Sequence, residues 1–130
     1  MEEFVSDTMA LILYLERRKM PEKAKSLFQK ADIDEVRILI PSMVIAEIGY
    51  LSEKGKIEIS LDRVEEYILS KNNYSVYPQT LDVIKASFQI KDIPELHDRL
   101  IAGTAKLLGV KVITNDPKIE ASVSVETVWR

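Results

Sequence analysis

Short strand-like runs alternate with helical segments along the whole chain, and this alternation restricts the fold more than any other feature of the sequence. Phe4-Val5 begins a first strand that ends at Asp7, and Thr8 to Arg18 then reads as a helix, apolar nearly all round and therefore buried. A second helix, polar on one side, fits Pro21 to Ala31. Arg37-Ile38-Leu39-Ile40, closed by Pro41, suits an internal strand. Ser42 is placed to cap a helix over Met43 to Ser52, and Lys54-Gly55-Lys56 turns the chain. Leu61 to Ser70 is helical, Asn72-Asn73 breaks it, and Tyr74 to Tyr77 is a strand ended by Pro78. Thr80 to Ile90 is helical again. Pro94 opens a further helix stopped by Gly109, Val110 to Ile113 is a clear strand, and Val123 to Val128 a short last one. Strands joined by helices require right-handed crossovers, so the expected architecture is α/β: a three-layer α/β/α sandwich with a central parallel sheet, formed by residues 1–130 as a single domain. Ligands of such open sheets bind beyond the carboxyl ends of the strands.

Composition narrows the function. The 130 residues are 46% hydrophobic and 30% charged, with no cysteine and one histidine. Disulfides and thiolate metal sites are thereby excluded, and an oxidising compartment is disfavoured. No basic leader precedes Phe4, and the longest apolar run, Met9 to Leu15, is too short to span a bilayer, so a cytoplasmic protein is expected. A net charge of −3 argues globally against a nucleic-acid binder. The objection weakens if carboxylates hold cations. Arg17, Arg18, Lys19, Lys23, Lys25 and Lys30, against Glu22 alone, form either a solvated helix face or a ledge for phosphate contacts.

Four acids map to the carboxyl edge of the expected sheet. Asp7 and Asp116 directly follow strands, Glu47 lies early in the helix after the second strand, and Asp98 lies near the start of its helix. Each has a plain explanation: Asp7 and Asp116 as helix caps, the latter followed by Pro117, and Asp98 as a first-turn acid favoured by the helix dipole. Glu47 shares its helix face with Met43, Val44, Tyr50 and Leu51, so it needs a buried Arg or Lys partner or a cation. Carboxylates gathered together cannot all stay ionised without counter-charge. Oxygen ligands alone point to a hard ion, Mg2+ or Mn2+, which with substrate phosphate serves phosphodiester hydrolysis.

The chain resembles the PIN-domain nucleases, most closely the small VapC-type toxins of toxin–antitoxin pairs. Val5-Ser6-Asp7-Thr8, Pro41 to Glu47, His97 to Ala105, and Val112-Ile113-Thr114-Asn115-Asp116 carry the resemblance, in order, over essentially the whole chain. It implies a ribonuclease needing Mg2+ or Mn2+, commonly a homodimer, with an antitoxin protein as a partner. It makes Asp7 and Asp98 the principal metal ligands, with Glu47 and Asp116 completing the set of catalytic and metal-holding residues. Thr8 and Thr114 would support them, and Arg17, Arg18, Lys19 and Lys23 would be weak RNA contacts. Met9 departs from the small polar residue often found two places after the first aspartate.

Three rivals follow. A receiver-type domain needs an aspartate at the end of the middle strand, where Tyr77 and Pro78 stand, and a haloacid-dehalogenase-like phosphatase needs one where Met9 stands. A PIN fold that only binds RNA or a protein partner, catalytically weak or inactive, is the alternative that Met9 sustains. Leu11, Tyr14 and Leu27 on the first two helices are expected to supply the apolar face of the homodimer. His97, about 100° round the helix from Asp98, is given no role.

Overall fold

The computed structural model describes all 130 residues. Its elements are β1 (Glu3–Ser6), α1 (Thr8–Leu15), α2 (Glu22–Asp32), β2 (Arg37–Pro41), α3 (Ser42–Glu53) and α4 (Leu61–Ser70). They continue with β3 (Tyr74–Tyr77), α5 (Leu81–Phe88), α6 (Leu96–Leu108), β4 (Lys111–Ile113), α7 (Pro117–Glu120) and β5 (Thr127–Val128). All strand pairs are parallel and the sheet order is β3-β2-β1-β4-β5. The expected α/β sandwich is therefore what forms. The strand at residues 74–77, third along the chain, lies at an edge of the sheet, and the centre belongs to β1.

Apolar strands pack against helices to give one continuous core, in which Val5, Ile38, Ile40, Val112 and Ile113 meet Leu11, Ile12, Phe28, Val44 and Ile48. Register then fixes the site. Val5 pairs with Leu39 and Ser6 with Ile113, while Ile113 pairs with Val128. Asp7, Thr114 and Trp129 consequently lie one step past the paired residues, along one carboxyl edge, level with Pro41 at the end of β2, which pairs with Tyr77. The Asp7 N–H reaches the Ile113 carbonyl at 3.2 Å, which carries the β1–β4 pairing to the acid itself.

Several boundaries differ from the sequence expectation for identifiable reasons. The first helix stops at Leu15 because Arg17 turns back with φ +56°, and Glu16 is drawn away to accept the Glu58 and Ile59 N–H groups at 2.7 and 2.8 Å. Ser42 does not cap α3; its hydroxyl accepts the Gln79 N–H at 3.1 Å, tying β2 to the loop after β3. The last strand shrinks to Thr127–Val128 because the Asp92 carboxylate holds the Ser122 hydroxyl and the Val123 N–H at 2.8 and 2.9 Å. Gly109 ends α6 at φ +67°, as expected of a left-handed cap.

The apolar face expected for a homodimer is spent on the core: Leu11 and Leu27 are buried, and Tyr14 stacks on Phe28. Exposed apolar side chains lie instead on α4, β3 and α5, at Leu61, Leu69, Val76 and Leu81. No helix is long and apolar enough to cross a membrane.

Candidate functional site

Asp7 closes β1 and caps α1. Its Oδ1 accepts the Ala10 N–H at 2.8 Å, and its Oδ2 accepts the Thr114 hydroxyl from the end of β4. The same Thr114 oxygen accepts the Asp116 N–H at 2.9 Å, so one buried hydroxyl links two of the acids. Asp116 in turn caps α7 by accepting the Lys118 N–H at 2.8 Å, with Pro117 at the first helical position.

Glu47 is half-buried, and neither Arg nor Lys pairs with it. Its partner is the Thr8 hydroxyl, which donates to Oε1 at 2.7 Å. Its helix face is less apolar in space than in sequence: Val44 is buried, Tyr50 is largely exposed. Thr8 thus orients Glu47 much as Thr114 orients Asp7 and Asp116.

Asp98 occupies the first turn of α6, with Ile101, Ala102 and Ala105 buried beneath it. Pro94 does not open this helix. Glu95 is its cap, Oε1 accepting the Asp98 N–H at 3.1 Å and Oε2 the His97 N–H at 2.9 Å. Asp98's carboxylate makes no hydrogen bond within the protein, so it is spared the structural duty that Glu95 performs. Glutamate is a poor N-cap by preference, and the sequence held no signal for this role. His97 is exposed and its Nδ1 lies 3.0 Å from Glu95, away from any part in the acid group.

Electrostatics binds the four acids into one neighbourhood. Burial pushes the Asp7 carboxyl up to about 6, against the lowering effect of Thr114 and Ala10, and the charges of Asp116 and Asp98 push the same way. Asp98 is also pushed up to about 6, first by burial, then by Asp116, Glu95 and Glu47, with Lys118 opposing. Hydrogen bonds from the His97 and Asp98 backbone outweigh burial at Glu95 and hold its carboxyl below the usual range.

The acids face one another without forming a cage. No group of three or more carboxylates or other ligand side chains comes close enough to hold an ion. Asp7 is committed to Ala10 and Thr114. The donor chemistry nevertheless suits a hard divalent ion: oxygen ligands only, of which Asp98 has both oxygens free.

The basic segment after α1 is divided by the fold. Helix α1 runs back from Asp7, and its eight residues place Arg17 and Arg18 about 12 Å or more along the axis from the acids. There they line a cavity of about 610 Å³ with Lys25, Arg63 and Lys71. Asp32, also in the lining of that cavity, accepts hydrogen bonds from Tyr14, Tyr67 and Tyr74. Lys19 is exposed. Lys23, in the first turn of α2, lies instead at the carboxyl edge, because the Ala24 N–H bonds the Trp129 carbonyl at 3.2 Å.

The chain belongs to the PIN domain family, whose model matches residues 4–122. This is a nuclease family. Solved structures share the fold. VapBC2 from Rickettsia felis, bound to a DNA fragment from its promoter, contains a chain with TM-score 0.75 and 15% identity, covering 98% of this chain and 99% of that one. DNA-bound VapBC from Salmonella typhimurium gives a TM-score of 0.71 at 24% identity, covering 98% of both chains. FitAcB from Neisseria gonorrhoeae gives 0.65 at 17% identity, covering 95% of both. No curated protein sequence matches the chain.

Proposed function

We propose that this protein is a metal-dependent endoribonuclease, the toxin of a toxin–antitoxin pair, working in the cytoplasm as a homodimer. The observation that carries the reading is electrostatic. Asp7 and Asp98 come from different elements, both are pushed to about 6, and each feels Asp116. A fold that keeps four acids in one neighbourhood at a cost to itself has a use for a cation there. The fold relatives occur as toxin–antitoxin complexes, which supports an antitoxin as partner.

In this reading Asp7 and Asp98 hold Mg2+ or Mn2+, with Glu47 and Asp116 completing the set directly or through water. The bound ion supplies Lewis-acid activation of a water and neutralises charge on the phosphate. The chain's own groups do the rest. Glu47, aimed by Thr8, or Asp116, aimed by Thr114, positions the water in line with the scissile P–O bond. Attack forms a new P–O bond as the bond to the leaving oxygen breaks, the water's proton passing to the positioning carboxylate and the leaving oxygen taking one from solvent. Thr114 and the Ala10 N–H each hold one oxygen of Asp7, which orients its carboxylate.

The open arrangement of the acids favours a second reading, a PIN module that binds RNA or a partner with little catalysis. Cleavage of a panel of structured RNAs, with Mg2+ or Mn2+ and an Asp7→Asn control, decides between them. The nuclease reading expects metal-dependent products with the parent and none with Asp7→Asn. Absence of products with either protein would support the binding module.

A further inference from the structure

Next to Asp116 the fold builds a polar cleft of about 330 Å³, lined by Lys23, Asn115, Glu120, Thr127, Trp129 and Arg130. Two backbone bonds fix its frame. Ala24 N–H to Trp129 carbonyl holds the first turn of α2, and Thr114 N–H to Val128 carbonyl, also 3.2 Å, holds the loop that carries Asp116. Lys23 and Arg130 are exposed and form no ion pair, and neither does Lys118, whose charge reaches Asp98. Asn115 is exposed beside them. Two unpaired cations, Lys23 and Arg130, thus stand against one acid, Glu120, in the cleft, with Lys118 nearby, on one side of an acidic group in a chain whose net charge is −3.

We infer that this cleft takes the RNA strand next to the scissile bond, with Lys23 and Arg130 on its phosphates and the Asn115 amide free for a base edge. The inference rests on the RNA-cleaving reading above and adds where the strand runs. A carboxylate group repels a polyanion, so phosphates flanking the one being cleaved need positive charge within reach, and only charge held in place contributes to register. The cleft supplies it from two side chains whose backbone positions are fixed beside the loop that carries Asp116. An amide side chain at the same wall suits an unstacked base of a single strand.

The test is binding of a single-stranded RNA that the parent cleaves, measured over a salt series with Mg2+ present, in full-length Asp98→Asn protein so that the RNA survives. Adding Lys23→Gln and Arg130→Gln is expected to weaken binding about tenfold and to flatten the slope of log affinity against log salt by about 1.4, two contacts at about 0.7 each. Adding Lys54→Gln and Lys56→Gln instead removes the same charge beyond the far end of α3, away from the carboxyl edge, and is expected to leave the slope unchanged. Equal effects from the two pairs would overturn the inference, since net charge alone would then explain them. An unchanged slope with the Lys23/Arg130 pair would overturn it while cleavage by the parent keeps the nuclease reading. A parent that neither binds nor cuts RNA would overturn both. If that pair instead costs the protein binding to a polyglutamate peptide and leaves RNA binding intact, the cleft docks protein and the inference fails.

Discussion

Asp98→Asn is expected to fold as the parent does and to cleave RNA at least about a hundred times more slowly, the scale of loss when metal-site and transition-state groups are removed. The amide keeps the shape of the side chain and one carbonyl oxygen but loses the charge that holds a hard cation. Asp98→Ala is expected to lose cleavage to the same extent. Neither change should unfold the protein, because the Asp98 carboxylate accepts no hydrogen bond and the cap of α6 belongs to Glu95. The loss of a first-turn acid from the helix dipole costs less than about 1 kcal/mol, and the relief of repulsion from Asp116, Glu95 and Glu47 works against that loss. Circular dichroism and thermal unfolding check the fold, and the RNA assay checks activity. A folded, fully active Asp98→Asn protein would remove Asp98 from the chemistry.

Gly103→Ala is expected to cost about 3 kcal/mol and lower the melting temperature by about 10 °C. Gly103 sits on α6 where it crosses α5. A Cβ there would stand 1.9 Å from the Ser87 hydroxyl oxygen and 2.7 Å from the Ser87 Cα. A rotamer change can move the hydroxyl, which already donates to the Val83 carbonyl at 2.7 Å, but the Cα moves only if the helices part. Alanine's better helix propensity returns about 1 kcal/mol, less than the overpacking costs. Since α6 carries Asp98, a parted α5–α6 pair would also displace the site. Ser87→Gly in the same chain should restore part of the loss. A Gly103→Ala protein that melts at or above the parent temperature would show that α5 and α6 do not meet as described.

The strand–helix alternation and the edge that carries the acids were legible because apolar runs ending in Asp7, Pro41 and Thr114 report the sheet directly. What sequence could not report depends on contacts between distant residues. Ser42 looked like a helix cap, yet its hydroxyl serves Gln79, thirty-seven residues away. The apolar sequence neighbours of Glu47 predict an Arg, Lys or ion as its partner, but the threonine beside Asp7 satisfies one of its oxygens. Glu95 caps α6 against preference, so Pro94 drew attention one residue too early. The basic segment from Arg17 to Lys30, in sequence either a solvated face or a phosphate ledge, is divided because α2 crosses the sheet from Trp129 after β5 to Tyr74 at the start of β3: Lys23 lines the cleft with Asn115, while Lys25 lines the cavity with Arg17 and Arg18. The expected dimer face failed for a related reason: Leu11 and Leu27 lie where α1 and α2 cover the sheet.

Thermal unfolding of the full chain with and without Mn2+, for the parent and Asp7→Asn, tests the central claim most directly. Burial pushes the folded Asp7 carboxyl up to about 6 from its ordinary value of 3.8. A carboxyl raised in the fold binds its proton more tightly there. Its favourable contribution is complete below about pH 4 and is lost as pH rises through about 6, a swing of about 3 kcal/mol. At about pH 7.5 the metal-free parent should therefore be less stable than Asp7→Asn, whose amide can still accept from Ala10 and can donate to the Thr114 oxygen, and the gap should close toward pH 4. Mn2+ at about millimolar concentration should raise the parent's melting temperature, because the ion binds the folded state, and should move Asp7→Asn much less. Equal Mn2+ responses from the two proteins would place the ion away from Asp7 and contradict the account.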